Sequence, residues 1–424
     1  MRYLDCSITI RTNAEVVYTE TDGSNSKTIL GRLALDPIIE RTIQRLNYWI
    51  REDIVRASSL RKTPICESDD LKLLGTHLYR MLFADANIRT SFEDAVQRVS
   101  REARTVSDRK LRLNVIFEDT SDRLATLPWE FLFVTPNGDM DSGVFLAGER
   151  TELLLSRRLV LRRDRDESEG RGRRSAAPAD NQLTVLLVEC NPDYIDGVKL
   201  DNVNTDEFAR VRKALETIGK QVNVVAIADP SFDELRAKLR ETQPRIVHYI
   251  GHGKPGHIAL RKAREDDDFD PQGNALQYRW LDSNSVKAMF SDVKPRLVFL
   301  NACSTGASES IESFKSLARD LLYADVGGVV AMQYGITNGD AAMFAKAFYK
   351  EIARGVPIDE AAKAGRQELG LRVPPWAHPR FATPVVYVQD NEPIVTGALP
   401  PAASDPEAQR QRSSGGIAAG GLTA

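Results

Sequence analysis

The chain has 424 residues and a mass of 47.2 kDa, with 42% hydrophobic and 28% charged residues. This composition excludes collagen-like, coiled-coil and wholly disordered chains, and the length leaves room for about two or three domains. With 57 Lys+Arg against 60 Asp+Glu, a net charge of -3 and a pI near 6.1, nothing draws the whole chain toward nucleic acid or an anionic membrane, and neither is an expected partner. Its four cysteines, Cys6, Cys66, Cys190 and Cys303, form no CxxC pair, so they read as reduced thiols rather than a disulfide framework or a zinc cage. The first residues lack a basic segment followed by an apolar one, and no run of about 18 apolar residues occurs, so a soluble, cytoplasmic protein is expected.

In chain order, Arg2 to Arg11 and Glu15 to Thr19 alternate like strands. Helical spacing runs from about Pro37 to Ser58, Asp70 to Ala84 and Ser91 to Thr105. A strand-like stretch, Leu111 to Glu118, and the block Leu127-Pro128-Trp129-Glu130-Phe131-Leu132-Phe133 follow, so residues 1–161 read as an α+β N-terminal domain. The basic pairs Arg157-Arg158 and Arg162-Arg163 read as a solvated edge. Residues 162–181 are too polar to form a core and read as a flexible linker. Between Arg162 and Arg174 six Arg oppose four acids with no interleaved aromatics, which disfavours a nucleic-acid arm.

Residues 182–390 change character. Leu183 to Glu189, Val222 to Ile227, Arg245 to Ile250, Arg296 to Asn301 and Val326 to Met332 are short Val/Ile/Leu-rich runs, as strands buried on both faces require. Helical patterns separate them at Asp206 to Ile218, Phe232 to Glu241, Ser310 to Tyr323 and Gly339 to Ile352. This alternation predicts an α/β domain, a mainly parallel sheet covered by helices. Residues 391–424, rich in Pro, Ala, Ser and Gly, read as a disordered tail.

In parallel sheets, reactive groups collect at the carboxyl ends of strands. One predicted strand ends in Gly251-His252-Gly253 and another in Asn301-Ala302-Cys303-Ser304-Thr305-Gly306, which puts an imidazole and a thiol on one rim. A cysteine needs a base to form thiolate at neutral pH, and the flanking glycines let backbone N–H groups approach an oxyanion. An inert core cysteine and a loop histidine are the plain alternative, disfavoured by their coincidence at matching strand ends. The set His248, His252, His257 and Cys303 makes a poor zinc site, because Gly251, Gly253, Pro255 and Gly256 preclude a shared helical face. Gly251-x-Gly253-x-x-Gly256 fits a dinucleotide fingerprint formally, but Pro255 sits where the helix would begin, on the third strand rather than the first. His248, inside its strand, reads as a packed, hydrogen-bonded residue. No metal or cofactor is expected.

Together these motifs resemble the CHAT domain, a caspase-like peptidase family of the caspase-hemoglobinase fold. The separation of 51 positions from His252 to Cys303 matches the caspase-type separation of about 50. Further likeness lies in Asn204-Thr205-Asp206-Glu207-Phe208, in the strand Val326 to Tyr334, in the Ala-rich helix after Ile358, and in Trp376-Ala377-His378-Pro379 leading to Thr383-Pro384-Val385-Val386-Tyr387-Val388. The resemblance implies a cysteine endopeptidase with Cys303 as nucleophile and His252 as acid/base. It also implies an oxyanion hole from the N–H groups of Gly253 and Cys303, and pocket candidates Asn301, Tyr334 and Asp340. Asp340 reads equally well as a helix start. Val198 to Val203 and Gln333 to Asp340 are the expected pocket segments, and neither carries an Arg, so Asp at P1 is expected to be rejected. The family often acts in bacterial defence or programmed-death systems, which implies a protein substrate and an activator or sensor docking on the N-terminal half. The alternative is a catalytically inactive scaffold of the same fold.

Overall fold

The computed structural model describes residues 2–57, 66–105, 108–118, 122–135, 141–160, 183–196, 198–200, 206–218, 222–254, 256–263, 277–290, 292–304, 310–371, 376 and 378–395. The expected linker at 162–181 and all but the first residues of the expected tail lie outside them. The chain opens with an antiparallel meander of β1 (Tyr3–Ile10), β2 (Glu15–Asp22) and β3 (Asn25–Arg32). In β1 the buried positions are Leu4, Cys6, Ile8 and Ile10, the period of two that a strand with one covered face needs. Helices α1 (Pro37–Ala57), α2 (Ser68–Leu82) and α3 (Ala86–Glu102) follow. Asp85 starts α3 by accepting from the N–H groups of Asn87 and Ile88. The strands β4 (Lys110–Phe117) and β5 (Leu153–Leu159) then line up parallel to β1.

The second half alternates β6 (Leu183–Cys190), α4 (Asp206–Glu216), β7 (Val222–Ala228), α5 (Phe232–Thr242) and β8 (Ile246–Lys254). A hairpin of β9 (His257–Arg261) and β10 (Tyr278–Asp282) comes next, then α6 (Ser283–Phe290), β11 (Leu297–Ser304), α7 (Ser310–Tyr323) and β12 (Gly328–Met332). The chain closes with α8 (Asn338–Ala353), α9 (Ile358–Gly370) and β13 (Pro384–Val388).

Among the described residues thirteen strands form one sheet, in the order β7-β6-β8-β11-β12-β13-β5-β4-β1-β2-β3, with β9 beside β8 and β10 beside β9. The run from β7 to β12 is parallel, and β13 enters antiparallel to β12. β13 touches β5 through the pair Tyr387 and Arg157, so the strands of the N-terminal half continue the same sheet. The architecture is thus α/β, with a largely parallel central sheet flanked by helices. Alternate residues feed two layers. Leu187, Ile246, Ile250 and Phe299 pack with Val211 and Leu215 of α4 and Phe344 and Phe348 of α8. Leu186, Val188, Tyr249 and Val298 pack on the other face with Leu235 and Leu239 of α5 and Leu321 of α7. The first cluster extends without a break into β1, β4 and α1 to α3, so one core spans both halves.

Charge crosses the join as well. Arg112 on β4 binds Asp359 at the start of α9, also reaches Asp5 at 3.1 Å, and stacks over the Tyr3 ring. Glu360 accepts from Arg2, Tyr3 and Lys110. Arg157 corrects the expectation of a solvated edge: its guanidinium is 1% exposed and binds Glu130, which also accepts from Gln333 at 3.0 Å. No helix among the described residues is long and apolar enough to cross a membrane.

Candidate active site

The strands β6, β7, β8, β11 and β12 carry spatial order 2-1-3-4-5, with helices on opposite faces after the first and second strands. Sheets of this order bind ligands in the crevice where the order reverses, outside the carboxyl ends of the first and third strands. Here those ends are Cys190 of β6 and Lys254 of β8.

The apolar runs of the sequence end at Ile250 and Asn301, but β8 continues to Lys254, and β11 continues through Cys303 to Ser304. The two strands pair in parallel with His252 opposite Cys303 and Gly253 opposite Ser304. Adjacent strands lie about 4.8 Å apart, and register partners share the phase of the pleat. Positions 246, 248, 250 and 252 of β8 lie on the side covered by α4 and α8, with 297, 299 and 301 of β11 as register partners of the first three. On the far side of β11 the pairing with β12 covers only Val298 to Leu300, so the end bearing Cys303 outruns that neighbour. His252 is 0% exposed.

Below His252 on the same face, His248 Nδ1 lies 3.0 Å from the Tyr349 hydroxyl, and its ring stacks on Phe299 at 4.2 Å. Burial pulls its imidazole down to about 3, so it stays neutral at physiological pH, the packed role expected of it.

Asn301, two residues before Cys303, donates its amide to Glu207 in the first turn of α4, and both are buried. Its Oδ1 makes no hydrogen bond among the described residues, which leaves an acceptor at the rim. Burial, reinforced by the neighbouring Glu189 charge, pushes the Glu207 carboxyl up to about 8. Ile250 pairs with both Glu189 and Asn301, so Glu189, Ile250 and Asn301 form one row across three strands. Sequence reasoning named Glu207 only within the helix start Asn204 to Phe208 and gave it no role, since an acid there ordinarily means capping.

The remaining pocket candidates lie further along. Tyr334 is 3% exposed, donates to Asn47 Oδ1 of α1 at 2.5 Å and packs on Phe131, so it is embedded between the halves. Asp340 is 1% exposed with Arg380 at 3.4 Å, and its N–H donates to the capping Thr337 hydroxyl. Val198 is exposed, while 201–203 of the other expected pocket segment fall outside the described residues.

His252 and Cys303 are thus register partners at the ends of adjacent parallel strands. The sequence matches the CHAT domain over residues 72–379, well over half its length, and the chain belongs to the CHAT domain family. No curated protein matches it. Among solved structures, the Saccharomyces cerevisiae separase–securin complex is similar with a TM-score of 0.47 and 12% identity, covering 92% of this chain and 30% of that one. This chain therefore spans less than a third of that protein's length. The Arg-specific cysteine proteinase gingipain R is similar with a TM-score of 0.39 and 12% identity, covering 85% of this chain and 76% of that one. The complex of Porphyromonas gingivalis RgpB pro- and mature domains gives a TM-score of 0.41 and 13% identity, covering 86% and 79%.

Proposed function

We propose that the chain is a cytoplasmic, regulated cysteine endopeptidase that cleaves a partner protein. The observation that carries this reading is the register of His252 with Cys303 at the carboxyl ends of β8 and β11. His252 takes the thiol proton, and the Cys303 sulfur attacks the scissile carbonyl carbon. The negative oxygen of the tetrahedral intermediate is met by the N–H groups of Gly253 and Cys303. His252 then protonates the leaving amine as the thioester forms. Water, giving its proton to His252, hydrolyses the thioester and returns the thiol.

The complete burial of His252 supports regulation, since a peptide reaches its ring only when the site opens. An activator or sensor docking on the N-terminal half fits this, because the shared core and the Arg112–Asp359 pair tie that half to α9. A place in bacterial defence or programmed death follows from the family resemblance. The test is capture of a partner by full-length Cys303→Ala, followed by incubation of that partner with the wild-type protein. Cleavage by wild type and none by the variant is expected. A captured partner that the wild type leaves intact under every activating condition would favour the inactive scaffold.

A further inference from the structure

The sheet does not stop at His252. β8 runs on through Gly253 and Lys254, which pair with Ile258 and His257 of β9, and β9 pairs in turn with β10 through His257–Asp282 and Ala259–Trp280. This hairpin takes the place of β6, whose pairing with β8 ends at Gly251. Lys254 lies two residues past His252, about 7 Å further along the same strand. Its ammonium reaches across β9 and stands 4.7 Å from the centre of the Trp280 ring. Both side chains are half-buried. The negative face of the ring holds a cation in place without neutralising it. Among the described residues no carboxylate pairs with Lys254. Asp282, the acid nearest to it in register, accepts from the Ser285 N–H at 2.7 Å at the start of α6.

In the proposed reaction the Cys303 sulfur attacks the scissile carbonyl and His252 protonates the leaving amine. The amine side of the substrate therefore lies on the β8 side of β11, and past β8 come β9 and β10. An extended peptide advances about 3.3 Å per residue, which brings the Lys254 ammonium within reach of the first three residues after the scissile bond. Resting on the peptidase reading above, we infer that Lys254, braced by Trp280, is a specificity-determining residue that binds an acidic side chain at one of these three positions. A Glu or Asp there supplies the carboxylate that Lys254 lacks, in a charge-assisted hydrogen bond. Because the ring already holds the ammonium, little side-chain freedom is lost on binding. The requirement is the reverse of that beside Asn301, where Glu207 and Glu189 disfavour a negative charge. The substrate class is a protein segment with an uncharged residue before the cut and an acidic one shortly after it.

The test gives full-length protein a set of internally quenched peptides in which each of the three residues after the cleaved bond is in turn Glu, Gln or Lys. At one position Glu should exceed Gln in kcat/KM by about tenfold or more, with Lys the poorest. Lys254→Glu should invert the order at that position alone, and Trp280→Leu, which keeps the cation but removes its platform, should shrink the preference. The ratio of two substrates within one protein cancels any change in folding or in the thiolate that affects both. No acidic preference at any of the three positions, or one that Lys254→Glu leaves intact, overturns the inference. A peptide set left uncut, while a peptidyl chloromethyl ketone still labels Cys303 faster in wild type than in His252→Ala, overturns the Lys254 subsite alone. If that labelling is no faster than in His252→Ala, the Cys–His reading itself fails, and the role of Lys254 with it.

Discussion

His252 and Cys303 are register partners on adjacent parallel strands, so their relative placement is set by the ladder rather than by loops. Such a placement is rigid, and it depends on the close approach of β6 to β8 at Gly251. Gly251→Ala forces a Cβ to within 2.1 Å of the Cys190 carbonyl, against backbone that cannot swing aside. The expected outcome is a loss of about 1–3 kcal/mol in stability, measured by denaturant unfolding, with turnover lost even where the protein remains folded. An active variant of wild-type stability would contradict the described packing.

The Glu207 carboxyl, up to about 8 in the fold, binds its proton more tightly than in the unfolded chain, where the usual value is 4.5. Its favourable contribution is therefore complete below about pH 4.5 and is lost as pH rises toward 8. Glu207→Gln, which keeps shape and removes titration, should come closest to wild type at pH 4 and become progressively more stable than it up to pH 8. The gap should grow by at most about 1.4 kcal/mol per pH unit. Melting temperatures of the two proteins across this range decide the matter, and parallel curves would refute it.

Arg112→Met removes the cation from a pair in which Asp359 is fully buried. Breaking one side of such a pair leaves an uncompensated charge and typically costs about 3–5 kcal/mol. Double substitution of Arg112→Met with Asp359→Leu should recover part of that loss in urea unfolding. Additive losses would show that the two residues are not coupled.

With Asn301 lining the P1 pocket, as the proposed peptidase reading has it, substrate choice follows from the acids around it. An Asp at P1 would be desolvated beside Glu207 and Glu189, so it should be cleaved poorly, while an uncharged residue such as Leu should be favoured. Because the Asp340 carboxylate is already paired with Arg380, Asp340→Ala should leave this ranking unchanged. A peptide library reads the ranking. Dominant Asp, or a basic preference abolished by Asp340→Ala, would refute the assignment.

The parallel half of the fold was legible because strands covered on both faces are uniformly apolar, and the runs ending at Ile250 and Asn301 fall inside β8 and β11. The edges were less legible. β5 carries Ser156 and Arg157 in its middle, and its burial depends on Glu130, which is 27 residues away. β3 is mostly exposed at the sheet edge, so it lacks an apolar pattern, and β9 and β10 are separated by a charged insertion. At the site, His252 and Cys303 could be read from their strand ends. The Asn301–Glu207 bond could not, since it joins residues 94 positions apart and no local pattern encodes such a contact.

The most direct test of the account is the rate at which a peptidyl chloromethyl ketone modifies each cysteine, read by mass spectrometry in wild type and His252→Ala. Burial pushes the thiols of Cys6 and Cys66 up to about 12 and that of Cys190 well above its usual range, so these three should stay unreactive near neutrality. The account predicts selective modification of Cys303 in the wild-type protein and a fall of about a hundredfold or more in His252→Ala. Equal rates in the two proteins, or modification spread evenly over the four cysteines, would contradict it.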